Sequence, residues 1–137
     1  MRISKKAEYA LRALALLATR PATRPVQIQE LAEAGRIPPK FLEQILLSLR
    51  RAGILVSKRG LGGGYLLGRP ASGISVLEIV ELIDGPWRLA DPAEPAPGTR
   101  GLEEILREAD TLVREHLGKQ TVASLILRED PSGYFDI

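Results

Sequence analysis

Apolar residues recur with a helical period in three successive stretches of the first half of the chain, and then the period shortens. In SKKAEYALRALALLATR, Ala7, Ala10, Leu11, Leu14, Leu17 and Ala18 share one face, and Ser4 stands where an N-cap belongs. After Pro21 and Pro25, VQIQELAEAG sets Ile28, Leu31 and Ala32 on one side, with Gly35 placed to close a short helix. IPPKFLEQILLSLRRAG opens with prolines near a first helical turn. It aligns Phe41, Leu42, Ile45, Leu46, Leu49 and Ala52, and Gly53 stands as the closing residue. The next segment, ILVSKRGLGGGYLLGRP, reads as two short strands, Ile54 to Lys58 and Tyr65 to Leu67, around a glycine-rich tip. The pattern predicts helix, helix, turn, helix, hairpin.

Beyond the hairpin, ISVLEIVELIDG predicts another short helix, and PWRLADPAEPAPGTRG, with four prolines, has no usable period. From Leu102, LEEILREADTLVREHLGK carries Leu102, Ile105, Leu106, Ala109, Leu112, Val113 and then His116 or Leu117 along one stripe, with charges elsewhere. TVASLILRED adds a last short helix before the tail PSGYFDI. The fold class is mainly α with a small β-hairpin.

Gly60, Gly62, Gly63 and Gly64 invite a phosphate-cradling reading, and spacing rejects it. The third glycine of G-x-G-x-x-G falls on Tyr65 in one frame and on Leu67 in the other. A G-x-x-x-x-G-K frame from Gly63 to Gly68 is followed by Arg69 and Pro70, where lysine and a hydroxyl are needed. A hairpin tip remains, because glycine takes up positive φ without steric penalty.

Charge changes the picture more than the net value of +2 implies. Residues 1–70 hold 13 Lys/Arg against 4 Asp/Glu, whereas residues 71–137 hold 6 against 13. A basic half joined to an acidic half points the first half toward a polyanion. The 137 residues allow one compact unit with an appendage. The chain has no cysteine, which excludes disulfides, thiolate nucleophiles and all-cysteine clusters. With one histidine and no nucleophile–base spacing, it is not expected to be an enzyme, and no cofactor is expected. Glu8 and Arg12 interrupt any N-terminal apolar run, and nothing reaches the roughly 18 apolar residues of a membrane span, so the expected location is the cytoplasm, with no membrane partner.

On the third helix, Lys40, Glu43, Gln44, Leu47, Ser48 and Arg51 share the face opposite the apolar stripe. Glutamine pairs with adenine, glutamate accepts from cytosine, lysine and arginine meet guanine or phosphate, and leucine can touch a thymine methyl. Alone, such a face better describes an ordinary solvated helix. Placed second in a helix-turn-helix and beside a hairpin with Lys58 and Arg59 at its base, it describes a recognition helix and a wing.

Those same segments, MRISKKAEYALRAL, IPPKFLEQILLSLRRAGIL and VSKRGLGGGYLLGRP, resemble the Rrf family of bacterial winged-helix transcription regulators, best known for the iron-sulfur cluster regulators of the IscR type. The resemblance runs from Met1 to about Gly85 and rests on LEQ in the third helix together with RGxGGGY in the hairpin. It implies that Lys40, Glu43, Gln44 and Ser48, with Arg51 on the same face, meet the major groove. It also implies that Lys58, Arg59, Gly60, Leu61, Gly62, Gly63 and Tyr65 form a wing addressing the minor groove, and that Ser4 and Lys5 contact phosphate. The family further implies a long helix pairing two protomers. Leu102, Ile105, Leu106, Ala109, Leu112 and Val113 have the composition for one, with packing inside the chain as the other outlet for that stripe.

The chain departs from the cluster-binding members at their sensor, since the loop before the long helix has none of the three cysteines. His116 reads as a packed or partly exposed histidine rather than a ligand, and Trp87 either anchors that loop or lines an effector pocket. The expectation is a winged helix-turn-helix at 1–85, a loop at 86–101, and a dimerisation helix and tail at 102–137. It would work as a dimeric, sequence-specific regulator of double-stranded DNA, a repressor of a near-palindromic operator without an iron-sulfur cluster, leaving room for a small-molecule or protein effector. The rival is a protein-interaction adaptor on the same scaffold.

Overall fold

The computed structural model describes residues 2–89 and 96–129. The described residues form six α-helices and a two-stranded hairpin: α1 (Lys5–Ala18), α2 (Ile28–Gly35), α3 (Pro39–Arg51), β1 (Leu55–Lys58), β2 (Gly64–Leu67), α4 (Val76–Asp84), α5 (Arg100–Lys119) and α6 (Val122–Glu129). A single 3-10 turn, Ala71–Gly73, unforeseen in the sequence, links β2 to α4. The expected tail, residues 131–137, and part of the expected loop, 90–95, lie outside the described residues.

Helix α1 is the hub. Its Ala7, Ala10 and Ala13 are wholly buried beside Leu14 and Leu17, and such small side chains let α2, α3, α4 and α6 approach closely around it. Ser4 caps it as expected, its Oγ accepting from the Ala7 N–H at 3.0 Å. On α3 the core face is Leu42, Ile45, Leu46 and Leu49, all 0% exposed, each worth about 1.5–3 kcal/mol of burial. Phe41 and Ala52, expected on that face, are not in it. Phe41 is 45% exposed with its ring 5.9 Å from that of Tyr9, and Ala52, the C-cap residue, is exposed. The first and last turns of a helix diverge from the stripe that its middle buries.

The turn between α2 and α3 also differs from expectation. Gly35 is the last helical residue, and the left-handed cap is Arg36, at φ 51° and ψ 48°. Gly35 is buried one position early, and a Cβ there would sit 2.9 Å from both Ile37 Cδ1 and Leu16 Cδ1, so those side-chain ends would have to shift. Arg12 fastens the turn to α1, its Nη1 donating to Gly35 O at 2.8 Å.

The C-terminal part folds back on this body. Val76 N donates to Gln120 O at 2.8 Å and Val122 N to Ile74 O at 2.9 Å, Val122 is fully buried, and α6 lies against α1. Helix α4 starts with a capping box, Ser75 Oγ accepting from Glu78 N while the Glu78 carboxylate accepts from Ser75 N. Among the described residues no helix is long and apolar enough to cross a membrane.

Candidate nucleic-acid interface

The core consumes one side of α3 and so fixes what the other side shows. Lys40, Glu43, Gln44, Leu47 and Arg51 are exposed along it and Ser48 is half-buried. None of the ion pairs among the described residues involves them. Their polar ends are available to a partner, and the face is the one the sequence predicts.

The wing is a hairpin pairing Leu55 with Leu67, Val56 with Leu66, Ser57 with Tyr65 and Lys58 with Gly64. At its tip, Gly63 N donates to Gly60 O at 2.9 Å, and Gly62 at φ 75° makes this a type II turn with Leu61 first of its two central residues. On the β2 side, one pair below the end that carries the tip, the wing gains a third partner. Val26 N donates to Tyr65 O at 2.9 Å and Tyr65 N to Val26 O at 2.8 Å, joining the hairpin to the residue just ahead of α2. This contact explains Gly64, whose Cβ would meet Val26 O at 2.5 Å. Arg50 Nη1 reaches Ser57 Oγ at 3.4 Å, a side-chain link from α3 to β1.

The expected wing residues thus divide. Lys58, Arg59, Gly60, Leu61 and Gly62 are exposed, whereas Gly63 is buried under the tip and Tyr65, half-buried, packs on the core and holds the wing in place. At the start of α1, Ser4 is already engaged. Its N–H donates to Asp84 Oδ2 at 2.9 Å and its hydroxyl donates to Asp84 Oδ1, tying α1 to the end of α4. Lys5 Nζ lies 3.2 Å from Glu8 in an exposed pair. The Val26 bridge and the Asp84 contact were not legible in the sequence, since both join segments with no local signature.

Helix α5 has no buried residue. Its apolar positions fall on two faces rather than the single expected stripe. Leu106, Val113 and Leu117 are half-buried toward the side that also carries Asp110, Arg114 and Gly118, which packs on α4. There Arg114 Nη1 donates to Glu81 at 2.5 Å, and Trp87 N donates to the same carboxylate at 3.1 Å. The Arg114 hydrogen bond holds the Glu81 carboxyl below its ordinary value of 4.5 against the opposing effect of burial, with the Trp87 N–H assisting, and the same pair raises Arg114. Burial pushes Glu78 upward, but the Ser75 N–H and Arg69 outweigh it and leave that carboxyl lowered. On the outer face, Leu102 is 57% exposed, Ile105 62% and Leu112 68%, with Ala109 between them and His116 exposed beyond.

A family model described as an iron-dependent transcriptional regulator, Rrf2, matches residues 3–128. The chain belongs to the Rrf2 family. A protein named as an HTH-type transcriptional regulator in Mycobacterium tuberculosis is 39% identical over 131 residues, covering 91% of this chain and 81% of that one. IscR of Klebsiella pneumoniae is 40% identical over 84 residues, 61% of this chain, and the match spans about half of it, 52%. Among solved structures, CymR, the global cysteine regulator of B. subtilis, superposes with a TM-score of 0.81 at 28% identity, covering 92% of this chain and 96% of that one. IscR of T. potens gives 0.78 at 25% identity, covering 100% and 97%. The Rrf2 protein described here is accordingly a DNA-binding transcriptional regulator of winged-helix fold and not an enzyme, which favours the regulator over the adaptor. The family description names iron, and this member does not fit a thiolate-held iron centre. It has no cysteine, and the described residues contain no group of three or more His, Cys, Asp or Glu that could hold a metal.

Proposed function

We propose that this Rrf2 protein acts as a homodimeric repressor of a near-palindromic operator. The observation that carries the dimer is the outer face of α5. Leu102, Ile105, Ala109, Leu112 and His116 follow one another at spacings of three, four, three and four, the seam of a two-helix packing, and the fold leaves that seam unburied. A two-fold axis at such a seam sets two copies of α3 about one duplex turn apart, roughly 34–36 Å.

In each half-site Lys40, Glu43, Gln44, Ser48 and Arg51 face the major groove, and Lys58, Arg59, Gly60, Leu61 and Gly62 address the adjacent minor groove. Phosphate neutralisation supplies most of the affinity, and α3 with the wing supplies discrimination. Ser4 and Lys5 act at the backbone with Asp84 and Glu8 beside them, so their phosphate contact requires those carboxylates to yield. Residues 1–85 carry DNA contact and 102–137 carry dimerisation, with α6 returning to brace α1. A small-molecule or protein effector would act through the segment 86–101, where Trp87 and Leu89 are fixed to α4 and α5 by the Glu81 and Asp110 carboxylates.

Selection of bound duplexes from a random library, followed by salt titration on the winner, tests this reading. A palindromic consensus with half-sites one turn apart is the expected result. With four cations per protomer at phosphates, log K falls with log salt at a slope of about −7. Absence of enrichment, with binding lost by moderate salt, overturns it.

A further inference from the structure

On the operator-binding reading above, we propose that Leu61 reads the minor groove floor, excluding G·C pairs beneath the wing tip. A lone surface leucine ordinarily means nothing. This one differs in placement. It is 107% exposed, whereas the other exposed large apolar side chains among the described residues lie between 40% and 70%. It stands between Gly60 and Gly62 on a turn closed by a hydrogen bond, so it has no neighbouring side chain to fold against. The turn is held in place by the paired Val26–Tyr65 hydrogen bonds just below the tip. Lys58 and Arg59, both exposed, precede it and draw the tip toward phosphate-lined negative potential.

The chemistry of an isobutyl group decides what such a tip can recognise. The minor-groove edge of an A·T pair shows acceptors only, whereas G·C adds the guanine N2 amino donor in the middle of the floor. Leucine offers no acceptor. Pressed over guanine, it would strip water from that amino group and leave it unsatisfied, besides meeting its bulk. Over adenine and thymine it meets the flatter floor and the sugar walls. Apolar side chains are known minor-groove probes in general. Arg59 shares a taste for narrow A·T grooves, but it acts through charge, so the two residues separate by salt dependence.

The test uses the full chain and the operator recovered by selection. The A·T pairs under the wing are replaced by G·C, and in a second duplex by inosine·cytosine, which lacks the N2 amino group. The wild type should lose about tenfold in affinity on G·C and regain it on inosine. Leu61→Gly, compatible with the turn, should bring the two operators within about twofold with an unchanged salt slope. Leu61→Asn, which offers an acceptor, should also shrink the gap, and it guards against a tip merely made floppy by glycine. Arg59→Ala should lower the salt slope by about 1 per wing while keeping the inosine-sensitive gap. A G·C penalty that inosine leaves in place, or that persists unchanged in both Leu61 variants, overturns the proposal while the operator reading stands. A library that yields no operator overturns both.

Discussion

Helices α3 and α5 carry comparable amphipathic patterns and meet opposite fates. Four apolar side chains of α3 are wholly buried within the chain, while α5 buries none. The difference lies in what surrounds each. Helix α3 is flanked by α1, α2, β1 and α4, which consume its stripe and leave a polar face outward. Helix α5 packs mainly on α4, along one side, so its second stripe is left uncovered among the described residues. A buried stripe fixes a reading face, and an unburied one leaves an apolar seam for a second copy.

That contrast can be broken most forcefully at α5. Leu112→Glu should leave helical content and monomer stability nearly unchanged while splitting the dimer. Operator affinity should then fall about 100-fold or more, since the second half-site is no longer tethered. Sedimentation and operator titration check it, and a variant that stays dimeric would place the dimer contact on another surface. Leu46→Ala should do the converse, costing about 2–5 kcal/mol in denaturant unfolding through the cavity it leaves in the core.

At the wing, Gly64→Ala forces a Cβ against the Val26 carbonyl at φ 144°, with strain of order 1–3 kcal/mol. Amide exchange at Tyr65 should accelerate there while α3 amides stay protected. Arg36→Gly should stabilise the chain by about 1 kcal/mol, because the left-handed cap no longer carries a side chain, and thermal unfolding will show the sign.

The smallest expected effect is one of pH. Glu81 has a folded-state pKa below its ordinary 4.5, so the stability it contributes to the α4–α5 junction is present above 4.5 and is lost as pH falls through the depressed value. Fluorescence of Trp87, the chain's single tryptophan, should hold steady down to about 4.5 and change only below it. Glu81→Gln should remove that acid step.

Local periodicity made the helices and the hairpin legible, because a core that takes one face of each element writes that face into residue spacing. Ser4 as a cap, the stripe Leu42–Ile45–Leu46–Leu49 and the polar face from Lys40 to Arg51 all follow from spacing alone. The four glycines also read correctly as a hairpin tip once phosphate-loop spacing failed. Phe41 was misread because a stripe drawn on an ideal helix ignores that the first turn, just after Pro38 and Pro39, lies beside Tyr9 and stays half exposed. Arg36 was unreadable because the glycine beside it is still helical, and the left-handed cap falls on the next residue, where nothing in the local pattern marks it.

By itself, then, the sequence determined which faces are apolar, where the chain turns, that thiolate chemistry is absent, and which half is basic. Only the tertiary structure decided which apolar faces are spent. It alone showed Val26 locking the wing through Tyr65, Asp84 occupying Ser4, and the α5 stripe dividing into a side against α4 and a side left exposed among the described residues. The physical reason is range. Periodicity and capping act over one or two turns of helix, whereas the competition among buried faces is settled by contacts between residues as far apart as Ser4 and Asp84, and no local pattern encodes their meeting.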